Sequence, residues 1–239
     1  MGYSLHDHDE VTQRRYPSLV ARDPLHAVEH IKGRRDGRAV WKLQRPGSGP
    51  STLKTWPLGP KLVLTGLLGL AQPQRQRRGA KRLDSIQVPT PRIICGPSWS
   101  LSGCTLEIDW AHGSTALEYL EGADGDVDRT RAFATQVGLM IDRIAGGGFV
   151  HRDMKLSNII IEDQGEQPRV WLIDTVDVRL SFSKPWAIYR MLERLDVELR
   201  SRRSLLADGW APVLRAALSS LETSQRRAVL SRLRSHPRP

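Results

Sequence analysis

The sequence predicts an α+β fold, with a small antiparallel sheet in its first half and a reduced, mainly helical part after it. Three observations carry this reading. Short apolar and β-branched runs, separated by Gly- and Pro-rich turns, fill residues 27–110. Farther on, apolar residues recur at helical spacing, as Phe133, Val137, Met140, Ile141 and Ile144, and again as Ile188, Leu192, Leu195 and Leu199. Between these two helical stretches lies a polar motif followed by an apolar run, a turn and a second apolar run, His151 to Asp174.

The 239 residues suffice for one domain built of two lobes and leave no room for a second. Hydrophobic content of 39% and charged content of 26% fit a soluble globular chain. The formal charge of +10 favours anionic partners, such as phosphates or an acidic membrane face, or serves solubility alone. Nothing besides charge points to nucleic acid, which is therefore an unlikely partner. Two cysteines, Cys95 and Cys104, both in apolar sequence surroundings, argue against a disulfide framework and for a reducing compartment. The start has no basic stretch followed by an apolar one, so no signal peptide is expected. Leu62–Leu70 is the most apolar run, too short to span a bilayer and broken by Gly66 and Gly69. It reads as a buried or interfacial helical piece, with membrane contact as the minor alternative.

Taken in order, residues 1–19 are polar and without periodicity, a loosely ordered arm. Ala27–Ile31 and Arg38–Gln44 are the first two strands, with Gly33-Arg34-Arg35-Asp36-Gly37 in the turn between them. Arg34 and Arg35 there either meet phosphates or are solvated. Pro46–Pro50 is a strong turn signal, and Ser51–Trp56 a third strand. Gln72–Leu83 reads as a helix with Arg75, Arg77, Arg78, Lys81 and Arg82, either solvated or forming a patch for an anionic acceptor or membrane. Strands follow at Arg92–Cys95 and Thr105–Trp110. Asp126 or Asp128 is placed to cap the helix through Ile144, which Gly146-Gly147-Gly148 ends. A helix from Pro185 and another through Leu214, Leu218 and Leu221 follow, and Arg226–Pro239 reads as a basic tail.

The motif is Asp153-Met154-Lys155-Leu156-Ser157-Asn158, then Ile159-Ile160-Ile161, a turn at Asp163–Gly165, and Val170-Trp171-Leu172-Ile173-Asp174. A hairpin of the two apolar runs brings Asn158 and Asp174 together at its open end. These residue types at this spacing are what phosphoryl transfer from a metal-bound nucleotide requires. Asp153 would orient the attacking hydroxyl, and Lys155 would offset charge on the transferred group. Asn158 and Asp174 would supply hard oxygen ligands to magnesium.

Leu172-Ile173-Asp174-Thr175-Val176-Asp177, the D-x-K-x-x-N motif, Leu53-Lys54-Thr55-Trp56 and the basic helix near Gln72 together resemble the lipopolysaccharide kinase (Kdo/WaaP-type) family of the protein-kinase-like superfamily. The resemblance covers about Gly37 to Leu180. It implies a protein-kinase-like two-lobed fold, with an N-lobe of about 20–108 and a reduced C-lobe of about 112–225, and the cofactors ATP and Mg2+. It implies that Lys54 holds the donor phosphates, with Lys42 as the alternative. Gln76 aligns with the glutamate that partners this lysine in protein kinases. Backbone groups at Ile108, Asp109, Trp110 and Ala111 would meet the adenine edge.

Two departures bear on activity. The Gly-rich loop G-x-G-x-x-G is absent, and Gln76 supplies a hydrogen bond but no charge. There is also no Ala-Pro-Glu and no long activation segment, and about sixty residues remain after Asp174, few for docking a peptide. The expected activity is an ATP- and Mg2+-dependent kinase acting on an alcohol group, a sugar hydroxyl of a lipopolysaccharide-like glycolipid. The expected location is cytoplasmic, with possible peripheral contact at the inner membrane. The rival readings are a nucleotide-binding pseudokinase and a small Ser/Thr protein kinase.

Overall fold

The structure, a computed structural model, describes residues 27–33, 38–44, 47–122, 126–163, 168–200 and 209–235. The arm at 1–19, Arg34, Arg35, Gly165 and residues 236–239 lie outside these. The chain divides into two compact units, one ending at Arg77 and joined by Pro91–Trp110, the other formed by Arg78–Thr90 and Ala111 onward. Arg78–Thr90, expected in the N-lobe, thus falls in the second unit.

The first unit is built on a five-stranded antiparallel sheet of β1 (Ala27–Gly33), β2 (Ala39–Gln44), β3 (Ser51–Pro57), β4 (Ile93–Ser100) and β5 (Gly103–Asp109), in the order β1-β2-β3-β5-β4. Alternation decides the faces, because successive strand residues point to opposite sides. Ala39, Trp41, Leu43 and Leu53 form one buried cluster. Trp56, Leu106 and Ile108 form another, with Leu62 and Ile93 packed against it. Lys54 lies opposite Val40 and Leu106 in the register. Two helices follow β3, α1 (Pro60–Leu67) and α2 (Gln72–Asp84). Pro60 starts α1 where a missing N–H costs nothing. The start of α2 is tied down by Gln72, which accepts from Trp56 Nε1 at 3.1 Å, and by Gln74, which donates to Gly66 O at 3.0 Å. Of the buried and interfacial readings of Leu62–Leu70, the buried one fails. No residue of α1 is buried, and Leu64, Leu67, Leu68 and Leu70 are exposed.

The second unit is mainly helical. It holds β6 (Ser114–Thr115), α3 (Ala116–Gly122), α4 (Val127–Gly146), β7 (Phe149–His151), β8 (Ile159–Glu162), β9 (Arg169–Leu172), β10 (Val178–Leu180), α5 (Lys184–Arg200), α6 (Trp210–Ala217) and α7 (Thr223–Ser235). Asp126 caps α4 by accepting from Arg129 N at 2.9 Å. The predicted stripe is the buried face of α4, and it packs with Ile188, Met191, Leu192 and Leu195 of α5 and with Ile159, Ile161 and Leu172. Each such side chain contributes about 1.5–3 kcal/mol of burial. At Gly138 a Cβ would stand 2.5 Å from Val213 O, so glycine is what permits α4 and α6 to approach. Arg226–Ser235, read from sequence as tail, is instead helical, with Val229 buried in this core. Its arginines masked an amphipathic element anchored by few apolar residues.

Cys95 and Cys104 are free thiols. Cys95 is exposed, against the apolar setting that its neighbours suggested, and Cys104 is buried. Among the described residues, no helix is long and apolar enough to cross a membrane.

Candidate active site

The polar motif occupies the second unit, and the hairpin read from the sequence is present. Ile159 pairs with Leu172, Ile160 with Trp171 and Ile161 with Val170. One step beyond the pairing, Ile173 N donates to Asn158 O at 3.0 Å. This fixes Asn158 and Asp174 on adjoining backbones at the hairpin's open end. On its other side β9 is held by Leu172 N to Pro89 O at 3.0 Å and by Thr90 Oγ1 to Leu172 O at 2.8 Å.

His151 locks the two halves of the motif. Its ring is fully buried, with Nε2 2.5 Å from Asp174 O and Nδ1 accepting from Asp153 N at 3.3 Å. A carbonyl can only accept, so Nε2 carries the proton and the neutral tautomer satisfies both bonds. Burial pushes the imidazole below its ordinary range and outweighs the carbonyl and nearby carboxylates that favour its charge. His151 is therefore a neutral spacer between Asp153 and Asp174.

The Asp153 carboxylate meets two cations. Lys155 Nζ lies 2.9 Å from Oδ2, and Arg194 Nη2 of α5 lies 3.0 Å from Oδ1. Asn158 Nδ2 donates to Asp153 O at 3.0 Å and reaches Oδ2 at 3.5 Å. Partial burial raises the Asp153 pKa, but the hydrogen bonds and charges of Lys155 and Arg194 outweigh it and hold the carboxyl below the ordinary aspartate range. It stays ionised, an acceptor aimed from a loop that Leu156 N also anchors, through a hydrogen bond to Glu198 of α5.

The donor set fits magnesium. Asn158 spends its amide N–H on Asp153, so its amide oxygen would be the atom offered to a metal. Asp174 Oδ1 accepts from Val176 N at 3.3 Å, and the other oxygen adds a second hard donor. No cluster of three or more His, Cys, Asp or Glu suited to a metal exists among the described residues.

In the first unit, Lys54 Nζ donates to Gln76 Oε1 at 3.2 Å, and Gln76 is buried. Lys42 instead lies 4.0 Å from Glu29 and over the Trp110 ring at 4.6 Å. The strand lysine that meets the helix is thus Lys54. Two of the N–H groups on the expected adenine-edge stretch are already bonded. Asp109 N donates to Arg92 O at 2.8 Å and Trp110 N to Pro50 O at 3.3 Å, so neither N–H is open to a base. Ile108 is buried in β5, paired with Thr52 and Ile93.

Three residues escaped the sequence reading. Arg194 and Glu198 reach the motif from a helix forty residues on, and no local pattern marks them. Gly79 did leave a signal, as an isolated glycine within a helical stretch. A Cβ there would stand 1.8 Å from Thr175 O, so the second half of α2 rests on the segment after Asp174.

Residues 114–216 match the Lipopolysaccharide kinase (Kdo/WaaP) family. The match includes Asp153, Lys155, Asn158, Asp174 and Arg194, while Lys54 and Gln76 lie before it. No curated protein matches the chain. Among solved structures, the Rio2 kinase of Chaetomium thermophilum, in an ADP/Mg2+-phosphoaspartate complex, aligns with a TM-score of 0.56 at 14% identity, covering 95% of this chain and 76% of that one. At that identity the likeness speaks for the fold alone. Residues 114–216 thus resemble the lipopolysaccharide kinase (Kdo/WaaP) family, and the fold is protein-kinase-like.

Proposed function

We propose that this kinase transfers the γ-phosphoryl group of ATP, with Mg2+, to a sugar hydroxyl of a lipopolysaccharide-like glycolipid. The observation that carries the reading is the ionised Asp153 carboxylate, held beside Asn158 and joined through His151 to Asp174. In the transfer, the acceptor oxygen forms a bond to the γ-phosphorus as the bond to the ADP oxygen breaks. The hydroxyl proton passes to Asp153. Lys155 offsets charge on the moving group, Lys54 holds donor phosphates, and Asn158 and Asp174 ligate the metal. Bound Mg2+ would neutralise the phosphates' developing charge. The chain's own work is positioning, and a carboxylate below its ordinary pKa suits a loose transition state that needs orientation more than strong basicity.

A sugar acceptor is supported by the family match. Contact with an anionic membrane face is supported by the exposed leucines of α1 beside a helix rich in arginine. Since ATP is the donor, the site of action is cytoplasmic, at the inner membrane. Sedimentation with vesicles containing anionic lipid, but not with neutral ones, is the expected result, and equal recovery with both would remove the membrane part of the reading.

A second reading, a nucleotide-binding pseudokinase, has one observation in its favour, the uncharged Gln76 on Lys54. Labelled ATP offered in parallel to envelope lipid extract, free cell-wall sugars and protein separates these readings. Label in the lipid fraction is the expected outcome. Label in protein alone points to a Ser/Thr kinase. ATP binding with no transfer anywhere favours the pseudokinase.

A further inference from the structure

We propose that Arg194 is a positioning residue for the transfer, fixing the orientation of the Asp153 carboxylate from α5; this rests on the kinase reading above. Each Asp153 oxygen has its own cation, Oδ1 with Arg194 at 3.0 Å and Oδ2 with Lys155 at 2.9 Å. Two donors on two oxygens remove the carboxylate's freedom to turn about its terminal bond, which a lysine alone leaves open. That terminal torsion is soft and broad in an unheld aspartate.

Stability does not account for this arginine. Its side chain is 33% exposed and that of Asp153 31%. Ion pairs so placed contribute little to folding. Its Nε is buried without a hydrogen-bond partner, an unfavourable feature of the pose. What the pose does achieve is geometric. Arg194 holds the loop at Asp153, and Glu198, one turn along the same helix, holds it at Leu156 N. Glu193, the residue before Arg194, is instead engaged with Arg190 and Tyr189. The helix thus presents one turn to the loop, a cation for the carboxylate and an anion for the backbone.

The test measures ADP release and label transfer from ATP and Mg2+, with envelope lipid extract as acceptor, in wild type, Arg194→Ala, Arg194→Lys, Asp153→Ala and the double variant. Arg194→Ala should lose about 10- to 100-fold in kcat with KM for ATP and melting temperature nearly unchanged, as a small misorientation of a catalytic group demands. Arg194→Lys should recover part of the loss. Adding Arg194→Ala to Asp153→Ala should cost nothing further, because the arginine acts only through that carboxylate. Should Arg194→Ala fail to fold, Arg194→Gln takes its place in the same comparisons. Wild-type kcat in the alanine variant, full additivity with Asp153→Ala, or a loss that tracks melting without rescue by lysine each overturns the proposal. Absence of turnover in wild type overturns the kinase reading and the proposal with it.

Discussion

Replacing Gly79 by alanine should disable the site from outside it. The added Cβ would stand 1.8 Å from Thr175 O and 2.8 Å from Thr175 C, so helix or segment must yield by more than an ångström. Two effects compete. Alanine is preferred over glycine inside a helix by roughly 0.5–1 kcal/mol. Overpacking against backbone costs about 3 kcal/mol at the upper end of its usual range. The clash wins by about 2 kcal/mol, which for a domain of this size lowers the melting temperature by about 4–8 °C. The displaced residue follows Asp174 directly, and a misplacement of about 1 Å near reacting groups can lower the rate about 100-fold. Calorimetry and ADP release under saturating ATP measure both. Gly49→Ala, where a Cβ meets nothing within 4 Å, is the control and should leave both unchanged. A Gly79→Ala protein with wild-type melting and wild-type turnover would refute the idea that α2 sets the position of the Asp174 segment.

The other predictions concern separate groups. Gln76→Ala removes the acceptor that Lys54 Nζ meets at 3.2 Å. A hydrogen bond to a charged group is worth about 1.5–3 kcal/mol, so KM for ATP should rise roughly 10- to 100-fold, and an unchanged KM would exclude this pair from nucleotide binding. Asn158→Ala and Asp174→Asn should each shift the Mg2+ dependence of turnover to concentrations about tenfold higher or more, and an unaltered Mg2+ titration would exclude that residue as a ligand. Thiol labelling at pH 8 should modify exposed Cys95 promptly and buried Cys104 only on unfolding. Burial pushes the Cys104 thiol to about 11 from 9.0. Its native pKa is thus raised, so its contribution to stability is complete below pH 9 and is lost as pH climbs toward 11. Cys104→Ala should flatten that alkaline decline, and an equally steep decline would assign it to other groups.

The motif was legible because its roles are local. Asp153, Lys155 and Asn158 sit within six residues, and the Ile159–Ile161 and Val170–Ile173 runs announce the hairpin that brings in Asp174. The buried stripe of α4 and the strand carrying Lys54 were equally plain, since each repeats the period of its element. What stayed hidden depends on tertiary contact. Arg194 and Glu198 look like any polar residues flanking an apolar stripe until the helix is docked. The bonded N–H groups of Asp109 and Trp110 depend on strand ends that no periodicity reveals. In α7 the charge density of Arg226–Arg234 hid Val229, the single residue there that is buried. For Leu62–Leu70 composition alone left burial and an interfacial position open, and the fold leaves most of its leucines exposed.

The most direct test compares wild type with Asp153→Ala in two measurements on the same preparations, calorimetric binding of ATP with Mg2+ and appearance of labelled phosphate on the envelope-lipid fraction. The account predicts that the variant binds nucleotide within a few-fold of wild type while its transfer falls by about 100- to 10,000-fold. Transfer at the wild-type rate without this carboxylate would contradict the account at its centre.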